Sequence, residues 1–266
     1  MNSPEKTYVQ EIAKGLGYLG TWLPTVTLQL GDYGVLFDKY KFIRIGNLSD
    51  MNVPFGIRQG RSRASMQYES NNAVTMSAKV AADLNLPNAP ITTKVEFSFS
   101  RENAVVFKAN KAQSVSIQDQ AALGSAVMGL LNNGKWNKKH RIITELVSAA
   151  STTIIVASAK SSSLELTAQG DVSSSLDIAN ASLGFMATRK AAMAYSDIAV
   201  QGLTPMFRTS GVRTTGMWWW KEDDFQPFGL KGVNALDVLT DEEVADHPEA
   251  LYFGLDGFEE LLSDAV

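Results

Sequence analysis

The sequence predicts an α+β fold, a twisted, mainly antiparallel β-sheet carrying a few packed helices. Three observations lead there. Period-two segments dominate the chain, as in Lys94-Val95-Glu96-Phe97-Ser98-Phe99-Ser100, where Val95, Phe97 and Phe99 share one face. Two stretches carry the 3.6-residue period of an amphipathic helix. Strands and helices do not alternate regularly, which argues against a parallel doubly wound sheet.

Taken in order, a helix is expected over about residues 4–16. Pro4 suits a first turn, Tyr8, Val9, Ile12, Ala13 and Leu16 recur at helical spacing, and Gly15 and Gly17 end it. Met66 and Tyr68, then Val74, Met76, Ala78 and Val80, alternate with polar residues and predict half-buried strands. Residues 62–82 and 91–110 form a candidate hairpin pair joined through 83–90. Asp119 is an N-cap for a second helix whose apolar stripe runs from Ala121 to Leu131 before Asn132-Asn133-Gly134 stops it. Strands are expected again at 141–147, 152–157, 162–166, 181–188 and 212–218.

Composition removes several function classes. The 266 residues are 45% hydrophobic and 20% charged, which is globular rather than disordered, collagen-like or polytopic. With no cysteine, there is no disulfide scaffold, thiolate zinc site or cysteine nucleophile. The two histidines, His140 and His247, are too far apart for a local metal motif. Gly15-Leu16-Gly17-Tyr18-Leu19-Gly20 spells a dinucleotide fingerprint, but it follows a helix instead of opening one and is expected to be a helix stop. No P-loop or nucleophile elbow occurs. The carboxylate pairs Asp223-Asp224 and Glu242-Glu243 sit in charged surroundings unsuited to acid–base work. Neither an enzyme nor a cofactor is expected.

Charge is unevenly placed. Residues 232–266 hold ten acidic side chains and no Lys or Arg, so the whole-chain charge of -4 conceals a body of +6 and a tail of -10. The division expected is therefore residues 1–231 as a basic α+β domain and 232–266 as an acidic segment. A solvated terminus is one reading of that segment. Its large apolar residues, among them Leu251, Tyr252, Phe253, Phe258 and Leu261, favour another, in which it docks on the body. Lys135, Lys138, Lys139 and Arg141 make a basic patch that could meet nucleic acid, lipid headgroups or only water, a solvated turn being the favoured reading. Trp218-Trp219-Trp220 is either a strand packed on both sides or an interfacial anchor.

The stretch 148–188 holds only four charges and is rich in Ser, Thr and Ala around Ile154-Ile155-Val156. It is either an ordinary meander or a hairpin able to enter a bilayer, since transmembrane strands need only about 9–11 residues alternating between lipid and lumen. The inserting candidates are Met66, Tyr68, Val74, Met76, Val95, Phe97 and Phe99 in one region, and Ile154, Ile155, Val156, Leu164 and Leu166 in the other. The start of the chain lacks the apolar core of a signal peptide, and no uncharged run approaches the roughly 18 residues of a spanning helix.

This order of features resembles the gasdermin family, especially its compact microbial members, over residues 5–215. The resemblance rests on the N-terminal helix ending in Gly17-Tyr18, on Leu23-Pro24, and on Arg141-Ile142-Ile143-Thr144-Glu145-Leu146-Val147 leading into Ser/Thr-rich strands. It implies a cytoplasmic, autoinhibited monomer. A protease removes the C-terminal segment; the body then binds acidic lipids of the inner membrane and inserts two hairpin regions per subunit. A large oligomeric barrel follows, with cell death as a defence. The activation linker would lie near Lys231, the last site for a trypsin-like enzyme, or Asp237 for a caspase-like one. The family's bacterial members are often lipidated on an N-terminal cysteine, which this chain lacks. No nucleic acid partner is implied. The alternative is a soluble β-rich binding module whose acidic tail solubilises it or recruits a partner.

Overall fold

The computed structural model describes residues 3–60, 64–81, 92–214 and 251–255. Its first helix, α1 (Pro4–Leu16), starts where Ser3 Oγ accepts from the Lys6 amide, and ends where Gly17 turns left-handed at φ 70° and donates its N–H to Ala13 O. Gly15 lies inside this helix rather than at its end. Its missing side chain admits the Tyr68 ring, whose Cδ2 would stand 2.2 Å from a Cβ there. The fingerprint-like glycines thus close a helix, as expected, and Leu19–Gly20 (β1) follows directly.

The remaining strands are β2 (Asp32–Phe37), β3 (Lys41–Asn47), β4 (Ile57–Gln59), β5 (Ala64–Glu69), β6 (Val74–Ala81), β7 (Thr92–Phe99) and β8 (Val105–Ile117). After α2 (Gln120–Asn132), capped by Asp119 Oδ1 on the Ala122 amide, come β9 (His140–Ser148), β10 (Ser151–Ala157), β11 (Ser162–Gln169), β12 (Met186–Ala191), β13 (Met193–Val200), β14 (Met206–Thr214) and β15 (Leu251–Leu255). The molecule is α+β, mostly antiparallel sheet with two helices among the described residues. The larger sheet runs β1-β14-β9-β8-β10-β13, with β5 and β4 also on β8, β2 on β9, β3 on β2, and β15 on β14. A smaller sheet runs β12-β11-β7-β6.

Three buried clusters follow from the alternation. Tyr8, Val9 and Ile12 of α1 pack on Val105, Phe107, Ile154 and Val156, one face of the larger sheet. The opposite face presents Val106, Ile155 and Ala157 to Val95, Phe97, Phe99, Leu164 and Leu166 of the smaller sheet. The stripe of α2, Leu123 and Val127, covers Ile142 and Val212 with Trp136. Because β10 is covered on both sides, Ser151–Ala157 is buried at every position, and two of its three polar side chains, Ser151 and Thr153, are satisfied internally. Ser151 Oγ donates to Ala179 O, and Thr153 Oγ1 donates to Ile178 O at 2.7 Å.

Three sequence expectations need correction. The low-charge stretch 148–188 is not a hairpin of 152–157 on 162–166: β10 pairs with β8 and β13, and β11 with β7 and β12. Ser161 is left-handed at φ 67°, and the chain turns from one sheet into the other instead of folding back. The return strand expected at 181–188 begins later, at Met186, because Asn180 Oδ1 caps a 3-10 turn, Ala181–Leu183, by accepting from the Ser182 amide. The strand expected at 212–218 begins earlier, at Met206. Residues 215–218, and with them Trp218, Trp219 and Trp220, lie outside the described residues.

Candidate membrane-inserting hairpins

Four strand pairs, β5–β6, β7–β8, β10–β11 and β12–β13, each run from one sheet into the other through a short corner. The corners are 70–73, 100–104, 158–161 and residue 192. Neighbour order is the same on both sides: β5-β8-β10-β13 in the larger sheet and β6-β7-β11-β12 in the smaller. These eight strands are therefore one four-stranded ribbon folded over on itself. Its halves are two long hairpins, 64–117 and 151–200.

At the centre of this ribbon the register is unbroken. Asn110 faces Ser151 and Val105 faces Val156 in the larger sheet, while Phe99 faces Ser162 and Thr92 faces Gln169 in the smaller; each pair of residue numbers sums to 261. The outer ladders slip by two residues between Glu69–Val106 and Val74–Phe99, and by four between Ala157–Met193 and Ser163–Ala191. The corners are laterally bonded as well. Asn103 N–H donates to Ala157 O at 3.0 Å, Ser161 N–H to Phe99 O at 2.9 Å, and Ser158 N–H to Ala192 O at 2.8 Å. Each corner carries one left-handed residue that is not glycine: Asn72 (φ 53°), Asn103 (56°), Ser161 (67°) and Ala192 (54°). Asn tolerates that region, whereas for alanine it costs roughly 1–2 kcal/mol.

The inserting candidates all belong to this ribbon, but in the folded chain they are core. Val95, Phe97, Leu164 and Leu166 are 0% exposed and, with Phe99, Ile155 and half-buried Val74 and Met76, fill the space between the two sheets. Ile154 and Val156 lie on the other side under α1, with half-buried Met66 and Tyr68. The smaller sheet has an outer face of contrasting character. Thr75, Ser77 and Lys79 line up with Ser98, Glu96 and Lys94, and then with Ser163, Glu165 and Thr167. Its central strands are eight residues each, about 26 Å at roughly 3.3 Å per residue, close to the roughly 25 Å apolar band of outer-membrane barrels.

Helix α1 holds the fold closed over these corners. The Glu11 carboxylate accepts from Tyr68 Oη, from Ser70 Oγ at 2.8 Å, and from Arg101 Nη2 at 3.3 Å, so it reaches two corners at once. Burial and the Glu11 hydrogen bond push the Tyr68 phenol well above its ordinary value. The end of the helix is tied to the larger sheet through Glu145. Its Oε1 accepts from Tyr18 Oη at 2.8 Å and its Oε2 from Arg208 at 3.2 Å, while Arg208 Nε donates to Gly17 O at 2.8 Å and its guanidinium lies 4.1 Å over the Tyr18 ring. Burial first, then Glu145, push the Tyr18 phenol up to about 12. Lys108, 1% exposed, is held by Glu69, by Gln67 Oε1 at 2.9 Å and by Ser175.

The four headgroup candidates divide. Lys135 and Lys139 are exposed in the turn before β9. Arg141 is half-buried, with Nη1 donating to Lys138 O and His140 O, and its side chain lies against Gly211, so it serves the fold. Sequence reasoning missed a different apolar and basic surface. At the β2–β3 tip, Phe37 is 62% exposed beside Lys39 and Lys41, with Ile43 and Ile45 on the same outward face. The alternation Lys41-Phe42-Ile43-Arg44-Ile45 is its sequence signal; which parity faces outward is set by Leu36 and Phe42 packing on the buried cluster, Phe42 edge-on to Phe207 at 5.6 Å.

Of the tail, Leu251–Leu255 is described, and it docks. It adds an antiparallel edge strand to β14, Leu251 opposite Thr214 and Leu255 opposite Ser210, and Phe253 packs on α2 at Gly124. A Cβ on Gly124 would stand 3.2 Å from Phe253 Cβ, so glycine is what lets the ring approach the helix. Phe258, Leu261, Lys231 and Asp237 lie outside the described residues. No helix among the described residues is long and apolar enough to cross a membrane. No protein-family model matches the chain, and no curated protein sequence matches it.

Proposed function

We propose that the chain is a pore-forming protein of gasdermin type, held inactive by its C-terminal segment and acting by unfolding its ribbon into a bilayer. The observation that carries this reading is the folded ribbon itself. Four strands keep their neighbours across every corner, and the central ladder keeps its register, so extension requires opening the core between the sheets but few new pairings. In the extended form the apolar residues of the smaller sheet, Val95, Phe97, Phe99, Leu164 and Leu166, would meet lipid, and the row Lys79, Lys94, Glu96 and Glu165 would meet water. The acidic tail supports the reading as a lock: it covers an edge of β14, and its removal would change the charge from -4 to +6, favouring anionic bilayers by about 1 kcal/mol for each nearby basic residue. The exposed tip with Phe37, Lys39 and Lys41 suits a first contact with that surface.

The test is dye release from anionic vesicles by the full chain carrying a protease site directly after Lys231, before and after cutting. Release only after cutting supports a tail-inhibited pore former. A soluble binding module is favoured by one feature, the β14 edge that accepts a strand. Absence of release from either form, with the cut protein folded and monomeric, selects that module.

A further inference from the structure

On the pore reading, we propose that Arg101 and Lys160 form a binding site for the phosphate of an anionic lipid headgroup, one that exists only in the extended ribbon, and that Glu11 masks it in the folded chain. The central ladder sums to 261 on both sides of the corner, and Arg101 and Lys160 have the same sum. Continued through the corner, that ladder places them directly opposite each other.

Parity then fixes their side. Val95, Phe97 and Phe99 alternate in step with Arg101, and Leu164 and Leu166 with Lys160. Both cations fall on the lipid-facing side, immediately beyond the eight-residue apolar stretch and hence at the level of the headgroups. Like charges directly opposite on one face repel, and an anion between them removes that penalty. A phosphate suits the guanidinium in particular, which can donate two parallel hydrogen bonds. In the folded chain Lys160 is exposed in its corner, while Arg101 is turned to Glu11 at 3.3 Å. The carboxylate stands where the headgroup would come, so membrane phosphate and α1 compete for the same arginine.

The test uses the full chain with its protease site, cut, on phosphatidylcholine vesicles with increasing phosphatidylglycerol. At equal bound protein, Lys160→Gln should slow release about fivefold, the effect of losing one surface charge, and Lys14→Gln, which removes an exposed charge on α1, should not. Lys160 is exposed, so the uncut variant should unfold at the wild-type temperature, separating a lost site from a lost fold. Glu11→Gln should lower the phosphatidylglycerol fraction needed for release. Equal effects of Lys160→Gln and Lys14→Gln, or none from either, would overturn the site and leave the pore reading standing. Release from pure phosphatidylcholine on adding inorganic phosphate would overturn the lipid as source. No release from the wild type would overturn both.

Discussion

Glu145 shows how a single carboxylate can organise a junction. It receives Tyr18 and Arg208, and Arg208 in turn holds the last turn of α1. Replacing Glu145 by alanine should lower stability by about 1.5–3 kcal/mol, the range for hydrogen bonds to a charged group, measured by chemical denaturation. The Tyr18 phenol should then ionise at lower pH in an ultraviolet titration. His140 packs against Trp136 at 5.1 Å and Tyr33 at 5.5 Å, and burial lowers its pKa below the ordinary 6.5. The unfolded chain therefore takes up a proton before the folded one. Stability should be full above about pH 6.5 and fall as the pH drops toward the folded value. A His140→Phe variant should lose that component of the pH dependence. The roles of both residues escape the sequence, because Glu145 meets Tyr18 across 127 positions and nothing local marks the encounter.

At the scale of elements, the corners and the tail strand are the parts on which a change of state would turn. Ala192 is left-handed at φ 54°, a conformation that glycine adopts freely. Ala192→Gly should stabilise the folded ribbon by up to about 1 kcal/mol, read as a higher melting temperature, and delay release from vesicles by the cut chain. The tail strand should respond from the opposite side of its contact. Gly124→Leu would push against Phe253 without altering the tail, and should increase protease accessibility and hydrogen exchange at Leu251–Leu255 while β9 stays protected. Most elements were legible in the alternation of apolar residues. The pairing of β10 was not, because period two tells which side chains share a face and says nothing of which strand lies alongside.

For the whole molecule, the same apolar residues would serve two environments, and this decides which variants are informative. A charge at Phe97 or Ile155, both 0% exposed, would break the folded core before any membrane was met, since truncating a buried Phe alone costs about 3–5 kcal/mol. Ala78 lies opposite Val95 on the same face but is exposed in the folded chain. Ala78→Arg should leave the melting temperature unchanged and abolish release, because a cation facing lipid at the midplane costs about 2–4 kcal/mol in every subunit. Unchanged release from this variant would remove β6 from the inserted set.

The sequence by itself determined the α+β class, both helices with the glycine stop of the first and the N-cap of the second, the apolar faces of the strands and the separation of a basic body from an acidic tail. All of these are set by local spacing, capping chemistry and counted charge. Tertiary structure alone decided that the strand pairs fold over into two sheets with a common core. It also placed Glu11 across two corners, made Arg141 part of the fold and brought Phe253 onto Gly124. Each depends on a left-handed corner or on groups far apart in the chain, whose meeting is chosen by packing rather than by spacing along the sequence.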